Sequence, residues 1–163
     1  MEEYDIQIRV NEHCMKAAVT ATETLVDVLR DKFGVLDVKN GCGQGDCGAC
    51  TILLDGVAVN SCLTLAVQAD GREVTTLSGL GTPEKPHALQ ESFIEHGAIQ
   101  CGFCSSGIIL AAKSLLDENP HPSRDEIREG ISGNICRCTG YTKIVDAIED
   151  VARHPEGIVG RTR

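Results

Sequence analysis

The chain has 163 residues, 42% of them hydrophobic, with three Phe, two Tyr and no Trp, so any core must be built from Val, Leu, Ile and Ala. Fifteen Lys and Arg against 24 Asp and Glu give a formal net charge of −9, and no basic block occurs, which excludes the electrostatic footprint of a nucleic-acid or anionic-lipid binder. No apolar run approaches the roughly 18 residues of a membrane span, Met1 to Asp5 carries no basic or apolar leader and no twin arginine, and nine cysteines suit a reducing compartment, so a cytoplasmic protein is expected.

In chain order, Tyr4, Ile6, Ile8 and Val10 alternate with polar residues over 4–10, the period of a strand, and Asn11-Glu12 turns it into a second strand at 13–19. Thr22 or Thr24 can cap a helix with Leu25, Val28, Leu29 and Phe33 at helical spacing and Gly34 at its C-cap. After a cysteine-rich loop, 51–59 reads as a hairpin with an Asp55-Gly56 turn, and 73–77 as a closing strand. Ser78 to Pro86 has the Gly- and Pro-rich composition of a connector. Beyond it the period becomes helical. Leu89, Phe93 and Ile94 mark one segment, and Ile108, Ile109, Ala112, Leu115 and Leu116 a second that stops at Asn119-Pro120. Ser123 with Glu126 forms a capping box for a third helix carrying Ile127 and Ile131. The fourth runs from about Tyr141 to Arg153 with Ile144, Val145, Ile148, Val151 and Ala152 on one stripe, and the residues after His154 read as a loose tail. The expected domains are therefore an α+β unit at 1–77, a connector at 78–86 and a helical unit at 87–163.

The chemistry lies in the cysteines. Cys42, Cys47 and Cys50 stand at C-x4-C-x2-C, and Cys62 follows after eleven intervening residues, which is the plant-type [2Fe-2S] ligand spacing. Gly41, Gly43, Gly45 and Gly48 are interleaved with them, as a loop needs if it is to turn tightly and aim N–H groups at sulfur. Cys101 and Cys104 (C-x2-C) and Cys136 and Cys138 (C-x-C) form a second set, 31 residues apart, which can meet only if the helices that follow them pack together. Helix N-termini would offer that site positive dipole ends and free N–H groups. Taken alone the second set also admits structural zinc. Cys14 has no partner at ligand spacing and is expected to be a small buried hydrophobe outside both sets. His13, His87, His96, His121 and His154 are scattered and read as surface residues, and no nucleophile elbow, P-loop or dinucleotide fingerprint occurs. A free two-cluster ferredoxin and a zinc-stabilised interaction module stand as competing functional classes.

Gly41-Cys42 through Cys50-Thr51, then Gln100-Cys101-Gly102-Phe103-Cys104, then Gly133-Asn134-Ile135-Cys136-Arg137-Cys138-Thr139-Gly140-Tyr141, in that order, resemble the iron-sulfur subunit of the xanthine dehydrogenase/aldehyde oxidase family of molybdenum hydroxylases. The resemblance covers about Tyr4 to Arg153. It implies a plant-ferredoxin-like β-grasp domain followed by a four-helix-bundle domain, each holding one [2Fe-2S] cluster on the two cysteine sets. It further implies electron transfer between a large molybdopterin subunit and a medium FAD subunit, in a hetero-oligomer such as a dimer of heterotrimers, with no catalytic residue in this chain. Gln100 and the ligand Cys138 would be the groups touching the pterin. One departure is Cys104-Ser105-Ser106-Gly107 where the family usually has Cys-Thr-Pro-Gly; Ser106 is expected to cap the helix instead.

Overall fold

The structure, a computed structural model, describes residues 2–154, so the expected C-terminal tail lies outside the described residues. Strands β1 (Glu3–Val10) and β2 (His13–Thr20) form an antiparallel hairpin, turned by Asn11 and Glu12, both at positive φ as a tight two-residue turn demands. Helix α1 (Leu25–Asp27) is capped by the Thr24 hydroxyl and continues as a π-helical turn, Val28–Lys32, ending at Gly34 with φ +70°. Strands β3 (Thr51–Leu54) and β4 (Val57–Asn60) form the second hairpin across Asp55-Gly56, and β5 (Glu73–Thr75) closes the sheet. The order is β2-β1-β5-β3-β4, with β5 parallel to β1 and antiparallel to β3.

Helices α3 (Ala88–Glu95), α4 (Ser105–Glu118), α5 (Arg124–Gly130) and α6 (Thr142–Arg153) follow. The fold is thus a β-grasp, ferredoxin-like unit succeeded by a four-helix unit. Among the described residues no helix is long and apolar enough to cross a membrane.

Two cores exist. Ile6, Ile8, Val10, Val19, Leu25, Leu29, Ile52, Leu54 and Val74 fill the first; Leu89, Phe93, Ile108, Ile109, Ile127, Ile131, Ile144 and Ile148 fill the second. Strand β3 explains how they are joined. Its four residues are all buried, because Ile52 and Leu54 point into the first core while the opposite face, with Leu53, lies against α4. A strand buried on both faces shows no polar alternation, which is why Ile52-Leu53-Leu54 reads as an unbroken apolar run.

Four expectations are corrected. Strand β5 ends at Thr75, and where a connector is expected α2 (Leu77–Leu80) forms, with Leu77 and Leu80 packed on the second core. Asp37 fixes this junction by accepting hydrogen bonds from the Thr76 hydroxyl and from both Ser78 N–H and its hydroxyl, at 2.7–2.9 Å. Ile94 is not on the apolar face of α3; it is 65% exposed, whereas Leu89 and Phe93 are fully buried. His87 is half-buried and caps α3, its Nδ1 accepting from the Leu89 N–H at 3.2 Å. Cys14 lies in β2 as expected but is exposed, because β2 is an edge strand and that face meets solvent.

Candidate metal centres

The loop between α1 and β3 holds the first thiol set. Gly43, Gly45 and Gly48 have φ of +69°, +87° and +66°, a conformation that side chains with a Cβ adopt at a penalty. At Gly41 the reason is space, since a Cβ there would lie 2.9 Å from Cys47 Sγ. Hydrogen bonds from outside hold the loop: Asn60 Nδ2 donates to the Gly45 carbonyl at 3.1 Å, and the Ser61 hydroxyl to the Cys50 carbonyl at 2.7 Å. Cys42 and Cys47 are half-buried, and Cys50 and Cys62 are buried. The thiols interact in pairs, Cys42 with Cys47 and Cys50 with Cys62. Backbone N–H groups of Gln44, Cys47 and Asp46 point at Cys42 and push its thiol down to about 6, which favours the thiolate at that position. Burial, reinforced by Cys50, pushes Cys62 up to about 11.

The second set forms where α4 and α6 begin. Cys104 stands at the N-cap of α4, and Gly140-Tyr141 leads into α6 with both residues at φ near +69°. Non-glycine residues are rarely found there, and Tyr141 is held by its hydroxyl, which accepts from the Cys136 N–H at 2.8 Å and donates to the Asn134 carbonyl at 3.4 Å. Cys138 and Cys101 are exposed with their sulfurs 3.6 Å apart, and Cys104 pairs with Cys136. Burial, with Cys136 beside it, pushes Cys104 up to about 12. Burial acts upward on Cys136 too, but the Thr139 hydroxyl, 3.1 Å from its sulfur, and the N–H groups of Cys138 and Thr139 outweigh it and hold the thiol below its usual value. The Cys101 thiol raises that of Cys138.

Each set is thus two pairs of sulfurs. Two thiolates on one tetrahedral ion at about 2.3 Å stand about 3.8 Å apart, close to the Cys101–Cys138 separation of 3.6 Å and far from a disulfide bond. The two-and-two arrangement fits a binuclear cluster, whose irons each take two protein ligands.

The two sets meet along a seam. The Ile135 N–H donates to the Cys47 carbonyl at 2.9 Å, and buried Asn134 donates from Nδ2 to the Gly48 carbonyl at 2.9 Å. Phe103, from the second set, lies against Gly41: a Cβ on Gly41 would be 3.4 Å from its ring. Gln100 is exposed beside Cys101. Ser106 does not cap α4; it is buried, and its hydroxyl has no hydrogen-bond partner among the described residues. Sequence reasoning passed over Thr139, Tyr141 and Asn134 as site residues. Their signal was their place inside Asn134 to Tyr141, around Cys136 and Cys138.

Comparison with known proteins accords with this geometry. Residues 8–78 match the model of a 2Fe-2S iron-sulfur cluster binding domain, and residues 76–149 that of a [2Fe-2S] binding domain. A nicotinate dehydrogenase small FeS subunit from Eubacterium barkeri is 45% identical over 91% of this chain and 94% of its own length. The solved quinoline 2-oxidoreductase of Pseudomonas putida 86 superimposes with a TM-score of 0.87 at 49% identity, covering 94% of this chain and 98% of the matched one. In the aldehyde oxidoreductase of Desulfovibrio desulfuricans the same unit, TM-score 0.89 and 46% identity over 93% of this chain, occupies 17% of a longer polypeptide. With relatives of this identity matched end to end and both cluster-binding domains in order, the chain belongs to the small iron-sulfur subunits of the xanthine dehydrogenase/aldehyde oxidase family of molybdenum hydroxylases.

Proposed function

We propose that the chain conducts electrons through two [2Fe-2S] clusters, one on Cys42, Cys47, Cys50 and Cys62 and the other on Cys101, Cys104, Cys136 and Cys138, between the molybdopterin of a large partner subunit and the FAD of a medium one. The observation that carries this reading is the twofold occurrence of four thiols in two-and-two array, a few residues apart across one seam. Bound clusters would supply reversible one-electron chemistry. The chain's own part is to hold the thiolates, to aim N–H groups at them, and to bury Cys50, Cys62 and Cys136 from solvent while leaving Cys101 and Cys138 open. That opening suits contact with a cofactor carried by another subunit. Gln100, exposed beside it, has an amide that can donate and accept toward a pterin edge, and the Cys138 sulfur can accept from it.

We further assign two domains, one cluster to each, joined over 78–86 with α2 as the first element of the joint. Substrate chemistry belongs to other subunits, arranged in a hetero-oligomer such as a dimer of heterotrimers. Nine free thiols suit the cytoplasm.

Metal and sulfide analysis of the purified chain tests the reading. About four iron and four acid-labile sulfide per chain, with two distinct paramagnetic signals on reduction, are expected; zinc in either set overturns that half. Purification from its source should bring large partner chains at fixed stoichiometry, and a chain that purifies alone is instead a diffusible ferredoxin.

A further inference from the structure

We propose that the Thr139 hydroxyl raises the reduction potential of the second centre by donating a hydrogen bond to the Cys136 sulfur; the inference rests on reading Cys101, Cys104, Cys136 and Cys138 as cluster ligands. Thr139 Oγ1 stands 3.1 Å from Cys136 Sγ, and among the described residues it is the one side-chain hydroxyl hydrogen-bonded to a sulfur of either set. Its position matches a need. Cys101 and Cys138 are exposed and can take hydrogen bonds from water or from a partner chain, whereas Cys136 is 8% exposed and must find its donors within the fold. The Thr139 hydroxyl and the backbone N–H groups of Cys138 and Thr139 supply them.

The turn before α6 holds the hydroxyl in this direction. Gly140 and Tyr141, at φ +68° and +69°, fold the chain back so that the Tyr141 N–H donates to Thr139 Oγ1 at 3.3 Å. With that lone pair engaged, the hydroxyl proton is left for the sulfur. The tyrosine closes the ring from the other side, its own hydroxyl accepting from the Cys136 N–H at 2.8 Å. Cys136 is thus held at both its nitrogen and its sulfur. On reduction one electron enters the cluster from a low-potential donor such as dithionite; no bond to Thr139 forms or breaks, and its proton stays on oxygen. The added negative charge spreads onto the sulfurs, and a half-buried donor fixed at one of them favours the reduced state more than the oxidised one. The first set has no such group among the described residues: Gln44, at 3.5 Å from Cys42 Sγ, donates from its backbone. The hydroxyl therefore acts on one centre alone.

The competing reading is that Thr139 serves only the turn, accepting from Tyr141, with its contact to sulfur incidental. The test uses the full chain, in its complex where one purifies, as wild type, Thr139→Val, Thr139→Ser and Gly140→Ala. Valine keeps the branched shape and removes the hydroxyl, and serine keeps the hydroxyl. Alanine at 140 strains the left-handed turn, where a Cβ would meet no atom within 4 Å, while Thr139 stays unaltered. Iron and sulfide are measured first, then the two midpoint potentials by dithionite titration followed by paramagnetic resonance. In Thr139→Val, reduction of the second centre is expected to be about tenfold less favourable, a potential about 59 mV lower for one electron, with the first centre unmoved. Thr139→Ser and Gly140→Ala should keep the wild-type potential, and Gly140→Ala should lose thermal stability. An unchanged second potential in Thr139→Val overturns the proposal, as does an equal fall in Gly140→Ala, which would trace the effect to the turn. If Thr139→Val does not take up the second cluster, Thr139→Ala is measured in its place, and failure of both to load overturns the proposal by making Thr139 a residue of assembly. A wild-type chain without iron overturns the cluster reading itself, and is recognised before any variant is compared.

Discussion

Two glycines of the same loop, with nearly the same backbone angle, should respond very differently to an added methyl group. Gly43 has φ +69° and its nearest outside atom, Asn40 Oδ1, would lie 3.8 Å from a new Cβ; Gly48 has φ +66°, but its Cβ would meet the Gly133 carbonyl oxygen at 2.4 Å and Asn134 Nδ2 at 2.5 Å. In Gly43→Ala only the left-handed backbone is penalised, at about 1–2 kcal/mol, offset in part by about 0.4–1 kcal/mol from a stiffer unfolded chain. Gly48→Ala carries the same conformational penalty and must also push back a main-chain oxygen. Separation at that point breaks the Asn134 bond to the Gly48 carbonyl and leaves buried groups unpaired, at about 1–3 kcal/mol more. The expected losses are about 1 kcal/mol and about 2–4 kcal/mol. For a chain of this size that corresponds to falls in thermal midpoint of about 3 °C and about 10 °C. The assay is the loss of visible cluster absorbance on heating at a fixed scan rate. Equal shifts for the two variants would refute the packing argument, because they would mean that Gly48 is required for its φ alone.

Cys14→Ala should leave iron and sulfide content and reduction rate unchanged, with a stability change within about 0.5 kcal/mol, since the thiol is exposed on an edge strand; loss of iron from the first set would show a wrong ligand assignment. Gln100→Leu should keep both clusters but weaken association with the large subunit by about 1–3 kcal/mol or slow reduction of the second set, and wild-type values in titration and stopped-flow measurements would remove Gln100 from that contact. His87 is held below its ordinary value of 6.5, first by burial and then by Lys113. The unfolded chain therefore binds more protons in the window between the folded value and 6.5, so the contribution of His87 is complete above 6.5 and lost as pH falls through that window. Thermal midpoints from about pH 7.5 to 5.5 should drop less in His87→Asn, which retains an N-cap oxygen, than in wild type; parallel curves would contradict this.

Much of the fold was legible because its signals are local. Alternation in β1, the Asp55-Gly56 turn and the Ser123–Glu126 capping box each act within a few residues, and each element formed where it was read. The misreadings share a different cause. Ser78-Gly79-Leu80 has the composition of a connector, and the helix there depends on Asp37, about forty residues away, and on the second core that takes Leu77 and Leu80. Ile94 has helical spacing with Leu89 and Phe93, yet which flank of a short helix is covered depends on where α6 lies. At the candidate centres the cysteines declared themselves by spacing. Asn134 and Tyr141 did not, because their roles rest on contacts with Gly48 and Cys136 that only folding brings together.

Strand β3 has a consequence for any attempt to divide the molecule. A ferredoxin-like half made without α4 would turn Leu53 and the rest of that face toward water, beside the short edge strand β4, whose Ala58 N–H now donates to Ser114 of α4 at 3.2 Å. A bare apolar face next to an unpaired edge is a template for sticking to other chains. The first half thus has its solvent boundary supplied by the second, and a gene fragment ending near residue 77 should yield insoluble material even though Cys42, Cys47, Cys50 and Cys62 are all present.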